Sequence, residues 1–420
     1  MVKKLMSKWT IAAPFLAVIL LAFTWGKEVS TGWLIVVAVL LIAAVLAAVH
    51  HAESIAYRIG EPFGSLVLAV AVTVIEVGLI VMLMLAGKSG AETLARDSIF
   101  AVAMMTMNGI VGVSLFIAAQ KSKSRFAIFN AEGSASALSA ALLLSGLTLV
   151  LPRFTMSTTT TAFSSSQLIF VGCISLLIYG LVVFTQTVRH REQFLAPESD
   201  AMAEEPERDA EVLSETLRHD AEIGLAEALV KANGTATVTA AASEHAAGKT
   251  AAEAETSSAP VPAPAPAHPA RDFLIDLGLL LVALVGVVGL AKVGSPGIEA
   301  FVAHFNLPQA VVGVIIALLI LLPETIAAIK YASRGKTQIS LNLAYGSAMA
   351  SIGLTIPVLA LISFWLPSGL MLGLDPLHIV LLGLTAVVSI LTIVPGRSKT
   401  LNGGLHLALF AAFLFLTIVP

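Results

Sequence analysis

Apolar residues run along this chain in long, nearly unbroken stretches, each about as long as a helix that crosses a bilayer. Spanning ~30 Å of hydrocarbon takes roughly 20 helical residues. The sequence offers eleven such stretches, at about 10–25, 32–49, 62–86, 98–119, 130–151, 166–188, 273–292, 308–329, 338–365, 377–394 and 403–419. Polar clusters separate them, and one is far longer than the rest, occupying 190–271 between the sixth and seventh spans. With the first span set aside, five spans precede this interruption and five follow. An odd number per set reverses the direction of the second set, which is the arithmetic of an inverted-topology repeat. The pattern therefore predicts an all-α polytopic membrane protein of about 11 transmembrane helices. Its expected parts are an N-terminal anchor helix (1–31), a first five-helix repeat (32–189), a linker (190–271) and a second five-helix repeat (272–420). The first span follows Lys3, Lys4 and Lys8, as a signal peptide would, but no small-x-small cleavage site follows at 23–26, so an uncleaved anchor is expected.

Composition agrees. Hydrophobic residues make up 57% and charged residues 12%, and the mean hydropathy is +0.92, a surface that a water-soluble fold of this length would not solvate. The net charge of −3 conceals an asymmetry, since residues 197–257 hold 14 acids and 4 bases. Lys and Arg accumulate on cytoplasmic loops. Threading the eleven spans with the N-terminus inside leaves only Lys27, Lys88, Arg96, Arg153 and Lys292 of the 24 basic residues outside. The N-terminus and the linker are thus expected in the cytoplasm and the C-terminus outside. Within the linker, 204–229 reads as a charged helix, and the stretch ending PVPAPAPAHPA reads as an extended tether. The segment suits a solvated spacer, with cytoplasmic cation sensing as the alternative. The single cysteine, Cys173, permits no intrachain disulfide.

Two carboxylates break the apolar pattern. Glu76 and Glu324 lie well inside spans, each on the second helix of its five-helix set. Lipid offers nothing to offset the desolvation of an ionisable side chain, so such groups mark ion or proton pathways. Oppositely directed helices crossing near a repeat axis would bring both to one site, where oxygen donors suit hard cations and a base suits protons. The alternative at this point is a pair of carboxyl groups that only bond neighbouring helices. The third helix of each set adds small and polar residues, Thr106, Asn108 and Ser114 in one and Asn342, Ser347, Ser351 and Thr355 in the other. Gly346, Gly353 and Pro357 point to a bent or interrupted helix, although close helix packing explains the same pattern. Pro323, directly before Glu324, either opens its helix or kinks it.

The paired glutamates, FNAEGSASAL at 129–138, YGLVVFTQTVRHR at 179–191 and PETIAAIKYASRGKTQISLNLAYGSAMASIGLTIP at 323–357 resemble bacterial ChaA-type cation/proton antiporters of the calcium/cation antiporter superfamily. The resemblance covers essentially all eleven spans and leaves out 197–270. It implies a secondary antiporter in a bacterial inner membrane that exports Ca²⁺, and Na⁺ or K⁺, in exchange for H⁺, with inorganic cations, protons and lipids as its partners. It implies no bound cofactor. Glu76 and Glu324 would bind metal ion and proton, and Thr73, Asn108, Ser347 and Ser351 would be secondary ligands. Members of the superfamily typically carry Gly-Asn-x-x-Glu around each glutamate. This chain has Val72-Thr73-x-x-Glu76 and Ile320-Leu321-x-x-Glu324, a thinner oxygen cage.

Other polar residues read more simply. His50, His51 and Glu53 suit a helix end at the interface rather than a metal site, and His378 and His406, near span ends, also read as interfacial. Asn130 and Glu132 suit a helix N-terminus, while Gln186 suits either the pathway wall or an interhelical bond. There is no phosphate-cradling glycine loop and no cysteine or histidine cluster with metal spacing, so neither an enzyme nor nucleic-acid binding is expected. A cation channel using the same glutamates as a selectivity ring is the alternative to an antiporter. The sequence leaves the oligomeric state open.

Overall fold

The computed structural model describes residues 2–27, 29–59, 63–85, 90–158, 160–195, 270–365 and 369–420. The charged helix and the Pro/Ala tether expected in the linker lie outside these residues. The described chain is all-α apart from one small ribbon. Helix α1 spans Val2–Thr24, α2 Thr31–Ile59 and α3 Phe63–Leu85. Helices α4 (Leu94–Met104) and α5 (Val111–Lys121) are joined end to end through a π turn at Met105–Ile110. Then come α6 (Ala131–Ser145) and α7 (Ser165–Phe184), each continued by a further π turn. After the linker come α8 (Ala270–His304), α9 (Ala310–Ala332), α10 (Thr337–Ile362), α11 (Pro376–Ile393) and α12 (Thr400–Ile418). Among the described residues, ten helices are long and apolar enough to cross a membrane, counting α4 and α5 as one, and α1 contributes the shorter apolar run Trp9–Thr24.

Local chemistry sets several of these ends. Asn130 caps α6 by accepting the Gly133 N–H at 3.1 Å, as expected at that position. Ser164 and Gln167 form a reciprocal capping box on α7. Asp375 caps α11, accepting the His378 N–H at 3.0 Å, with Pro376 at the first helical position. Strands β1 (Phe126–Ile128) and β2 (Arg397–Lys399) pair antiparallel and tie the α5–α6 loop to the α11–α12 loop. Nothing in the sequence pattern announced this ribbon.

The two five-helix sets meet through small residues, and the same relation appears twice, as an inverted repeat requires. Helix α10, third of its set, packs on α7, fifth of the other, where a Cβ on Gly353 would sit 2.8 Å from Tyr179 Cβ. Helix α5 packs on α12, where a Cβ on Gly403 would sit 2.6 Å from the Phe116 backbone nitrogen. Absent side chains let these backbones approach, which is how helices associate where no hydrophobic drive exists. The third helices differ in one respect. Helix α10 continues uninterrupted through Gly346, Gly353 and Pro357, whereas the break lies in the first set, at the π turn that contains Asn108. Helix α9 likewise continues through Pro323.

Candidate functional site

Glu76 on α3 is 1% exposed, and its Oε1 accepts a hydrogen bond from Ser351 Oγ of α10 at 2.5 Å. Thr355, one turn further along α10, acts on the same carboxylate, and its Oγ1 is buried without a hydrogen-bond partner. The Ser351 bond therefore holds the carboxylate at the α3–α10 crossing. Glu324 on α9 is half-buried, and its Oε2 is enclosed with no hydrogen-bond partner. It lies within electrostatic reach of Glu76 and of Glu53.

These side chains share one cavity of about 500 Å³. Its wall includes Thr73 and Glu76 of α3, Glu324 of α9 and Ser347 and Ser351 of α10, so five of the six expected site residues meet there. Thr73 Oγ1 is a further enclosed oxygen without a partner. Gln186 also lines the cavity, in the π turn that ends α7. The exposed members of the lining are Glu53, Arg191, Leu195 and Ile339. They come from the end of α2, the segment after α7 and the start of α10, and mark a mouth of the cavity there.

Asn108 is placed elsewhere. Its Nδ2 donates to Thr385 Oγ1 of α11 at 2.9 Å, and its Oδ1 pairs with His406 Nδ1 of α12 at 3.2 Å. All three side chains are fully buried. His406 is therefore not interfacial: it faces α5 from within α12. Thr106 donates to Val102 O of its own helix at 2.8 Å, and Ser114 pairs with Ser340 at 2.6 Å. His51 is likewise committed, with Nδ1 2.8 Å from Asp276 Oδ1 and Nε2 3.1 Å from Thr10 O. Asp276 also accepts from Ser54 at 2.7 Å and pairs with Arg58 at 3.0 Å, a cluster that joins α1, α2 and α8.

The sodium/calcium exchanger protein family matches over residues 29–188 and 275–419. The chain belongs to this family. Its match leaves out 189–274, the stretch between the two five-helix sets. Among the exchanger's relatives, y4hA of Sinorhizobium fredii, described by its name as an ionic transporter, is 36% identical over 98% of this chain and 96% of its own length. The sodium-potassium/proton antiporter ChaA of Escherichia coli is 30% identical over 96% of this chain and 93% of its own. The structure of native YfkE superposes with a TM-score of 0.63 at 16% identity, covering 98% of this chain and 99% of that one. The H⁺/Ca²⁺ exchanger CAX superposes with 0.63 at 14% identity, over 99% and 89%. The two structures establish the fold, and the family match with the two relatives places the chain among the multi-pass membrane cation exchangers of the calcium/cation antiporter superfamily.

Two residues of the exchanger's cavity escaped the sequence reading. Glu53 looked like an interfacial charge, but its four-residue spacing from Val49 puts both on one helix face, and both line the cavity. Tyr179 lines it too, and its side chain is set by the approach of Gly353. A lone tyrosine on an apolar helix carries no such signal.

Proposed function

We propose that this exchanger is a secondary antiporter that exports cations in exchange for entering protons, with Glu76 and Glu324 as the carboxylates both substrates share. The observation that carries the reading is the meeting of these two glutamates, from the two five-helix sets, on one cavity. A bare carboxylate in a low-dielectric interior is costly, and either a proton or a cation relieves that cost. The two therefore compete for the same oxygens, and competition couples their movements.

The cycle starts with the cavity open to the cytoplasm, the side assigned by the Lys and Arg distribution. A cation arriving there displaces protons from the pair. The repeats then rearrange around the site, the cation leaves on the far side, and protons take its place. Thr73, Ser347 and Ser351 add oxygen donors, and the cavity is large enough for a cation to keep part of its water shell. The transported ions are Na⁺ or K⁺, as in the name of the Escherichia coli relative, together with Ca²⁺. The residues before each glutamate lack amide side chains, so water supplies a larger share of the coordination than it would beside an asparagine. The membrane is the bacterial inner membrane, with the C-terminus outside.

An imposed pH gradient across reconstituted vesicles tests this reading. The antiporter accumulates Na⁺, K⁺ or Ca²⁺ against its own gradient, whereas a channel passes ions downhill only. Downhill flux without accumulation for all three ions would replace the antiporter by the channel.

A further inference from the structure

Among the described residues that line the mouth of the cavity, one exposed side chain is acidic and one basic. Glu53 projects from the last turns of α2, and Arg191 begins the short helical turn Arg191–Phe194 that follows α7. Both are exposed, and neither enters an ion pair within 4.0 Å among the described residues. Glu53 lies within electrostatic reach of His50, of Lys330 and of the site carboxylate Glu324.

The turn that bears Arg191 is anchored at the rim. Phe194 O accepts from Asn342 Nδ2 of α10 at 2.6 Å, and Gln193 Nε2 donates to Glu132 Oε2 of α6 at 2.9 Å. Gly133 completes the seat, since a Cβ there would lie 2.0 Å from Gln193 O. Three contacts from two helices hold this turn in place, so the Arg191 charge has a fixed origin at the mouth.

We infer that Glu53 and Arg191 form an electrostatic filter at the cytoplasmic mouth, with Glu53 drawing cations toward the site and Arg191 repelling them in proportion to their charge. The inference rests on the antiporter reading and on its assignment of sides. A fixed charge acts on a passing cation with an energy proportional to that cation's charge. Its effect on a divalent ion, as a fold-change, is therefore the square of its effect on a monovalent ion. Arg191 thereby biases capture toward Na⁺ and K⁺. A residue that coordinates the ion, or that only packs, follows no such rule.

The test uses full-length protein in vesicles of one orientation and reads cation KM and maximal rate at the face where the linker emerges. Na⁺ is followed directly, and Ca²⁺ as substrate or as competitor of Na⁺. Glu53→Gln is expected to raise the Na⁺ constant by about threefold and the Ca²⁺ constant by about tenfold. Arg191→Gln is expected to lower them by similar factors, and Arg191→Glu further in the same direction. Maximal rates stay within about twofold, and all shifts shrink as choline chloride raises the ionic strength. Equal fold-changes for Na⁺ and Ca²⁺, unchanged constants in all three variants, or shifts confined to the opposite face would overturn the filter. Failure of the underlying reading looks different, since exchange would then persist in Glu76→Gln and Glu324→Gln whatever the mouth variants do.

Discussion

Replacing Ser351 by alanine removes the hydroxyl that donates to Glu76 Oε1 at 2.5 Å. Hydrogen bonds to charged groups contribute about 1.5–3 kcal/mol, and each 1.4 kcal/mol is a factor of about ten. Glu76 is 1% exposed, so water replaces the lost donor poorly. Thr355 acts on the same carboxylate and offsets part of the loss. The low end of the range therefore applies, and the cation KM of Ser351→Ala should rise about tenfold at fixed pH, with Ser351→Thr within about threefold of wild type. Because protons compete with the cation, the deficit narrows as pH rises. The assay is cation-driven proton flux in proteoliposomes, with thermal denaturation in detergent confirming that the variant is folded. A folded Ser351→Ala protein whose KM stays within twofold of wild type would refute the view that this hydroxyl supports a cation-binding carboxylate.

Asn108→Ala strands Thr385 and His406 and should cost about 1–3 kcal/mol of stability, seen as a lower Tm in detergent. The cation KM at the cytoplasmic face should be unchanged, and a changed Na⁺ to Ca²⁺ ratio would instead make Asn108 a ligand. Burial works against ionised Asp375, but the N–H and imidazole of His378 and the nearby Arg96 outweigh it and hold its carboxyl down to about 2. Its contribution is thus present above the ordinary carboxylate range and lost as pH falls toward 2. The Tm difference between wild type and Asp375→Asn should accordingly shrink from about pH 5 to pH 2, and a constant difference would contradict this. Deleting 200–265, which carries the acidic cluster but no apolar span, should leave maximal exchange largely intact. Loss of exchange in a deletion protein that still inserts would make the segment part of the transport core.

The helices were legible because a bilayer imposes long apolar runs, and the glutamates because a charge within such a run has few structural explanations. Ser351 entered the reading by its place one helix after that of Glu324, although the carboxylate it bonds is that of Glu76. What the sequence does not carry is which polar residues satisfy one another. Asn108 looked as available as Ser351, but its partners stand 277 and 298 positions away, on α11 and α12. His51 and Asp276 are 225 apart. Glu53 was hidden for another reason, since a charge near a helix end is usually at the interface, and only the position of α9 and the turn after α7 makes it part of a cavity wall. The π turn at Met105–Ile110 falls in a sequence with no proline, and no residue pattern announces it.

The central claim is that cation and proton share Glu76 and Glu324, and ion-dependent proton flux in proteoliposomes holding Glu76→Gln or Glu324→Gln protein tests it most directly. Glutamine keeps the shape and much of the hydrogen bonding of each side chain but removes the charge both substrates need. The account predicts that each variant, folded and inserted, shows no exchange above protein-free vesicles with Na⁺, K⁺ or Ca²⁺. Exchange at more than about half the wild-type rate in either variant, a barrier change of only about 0.4 kcal/mol, would contradict it.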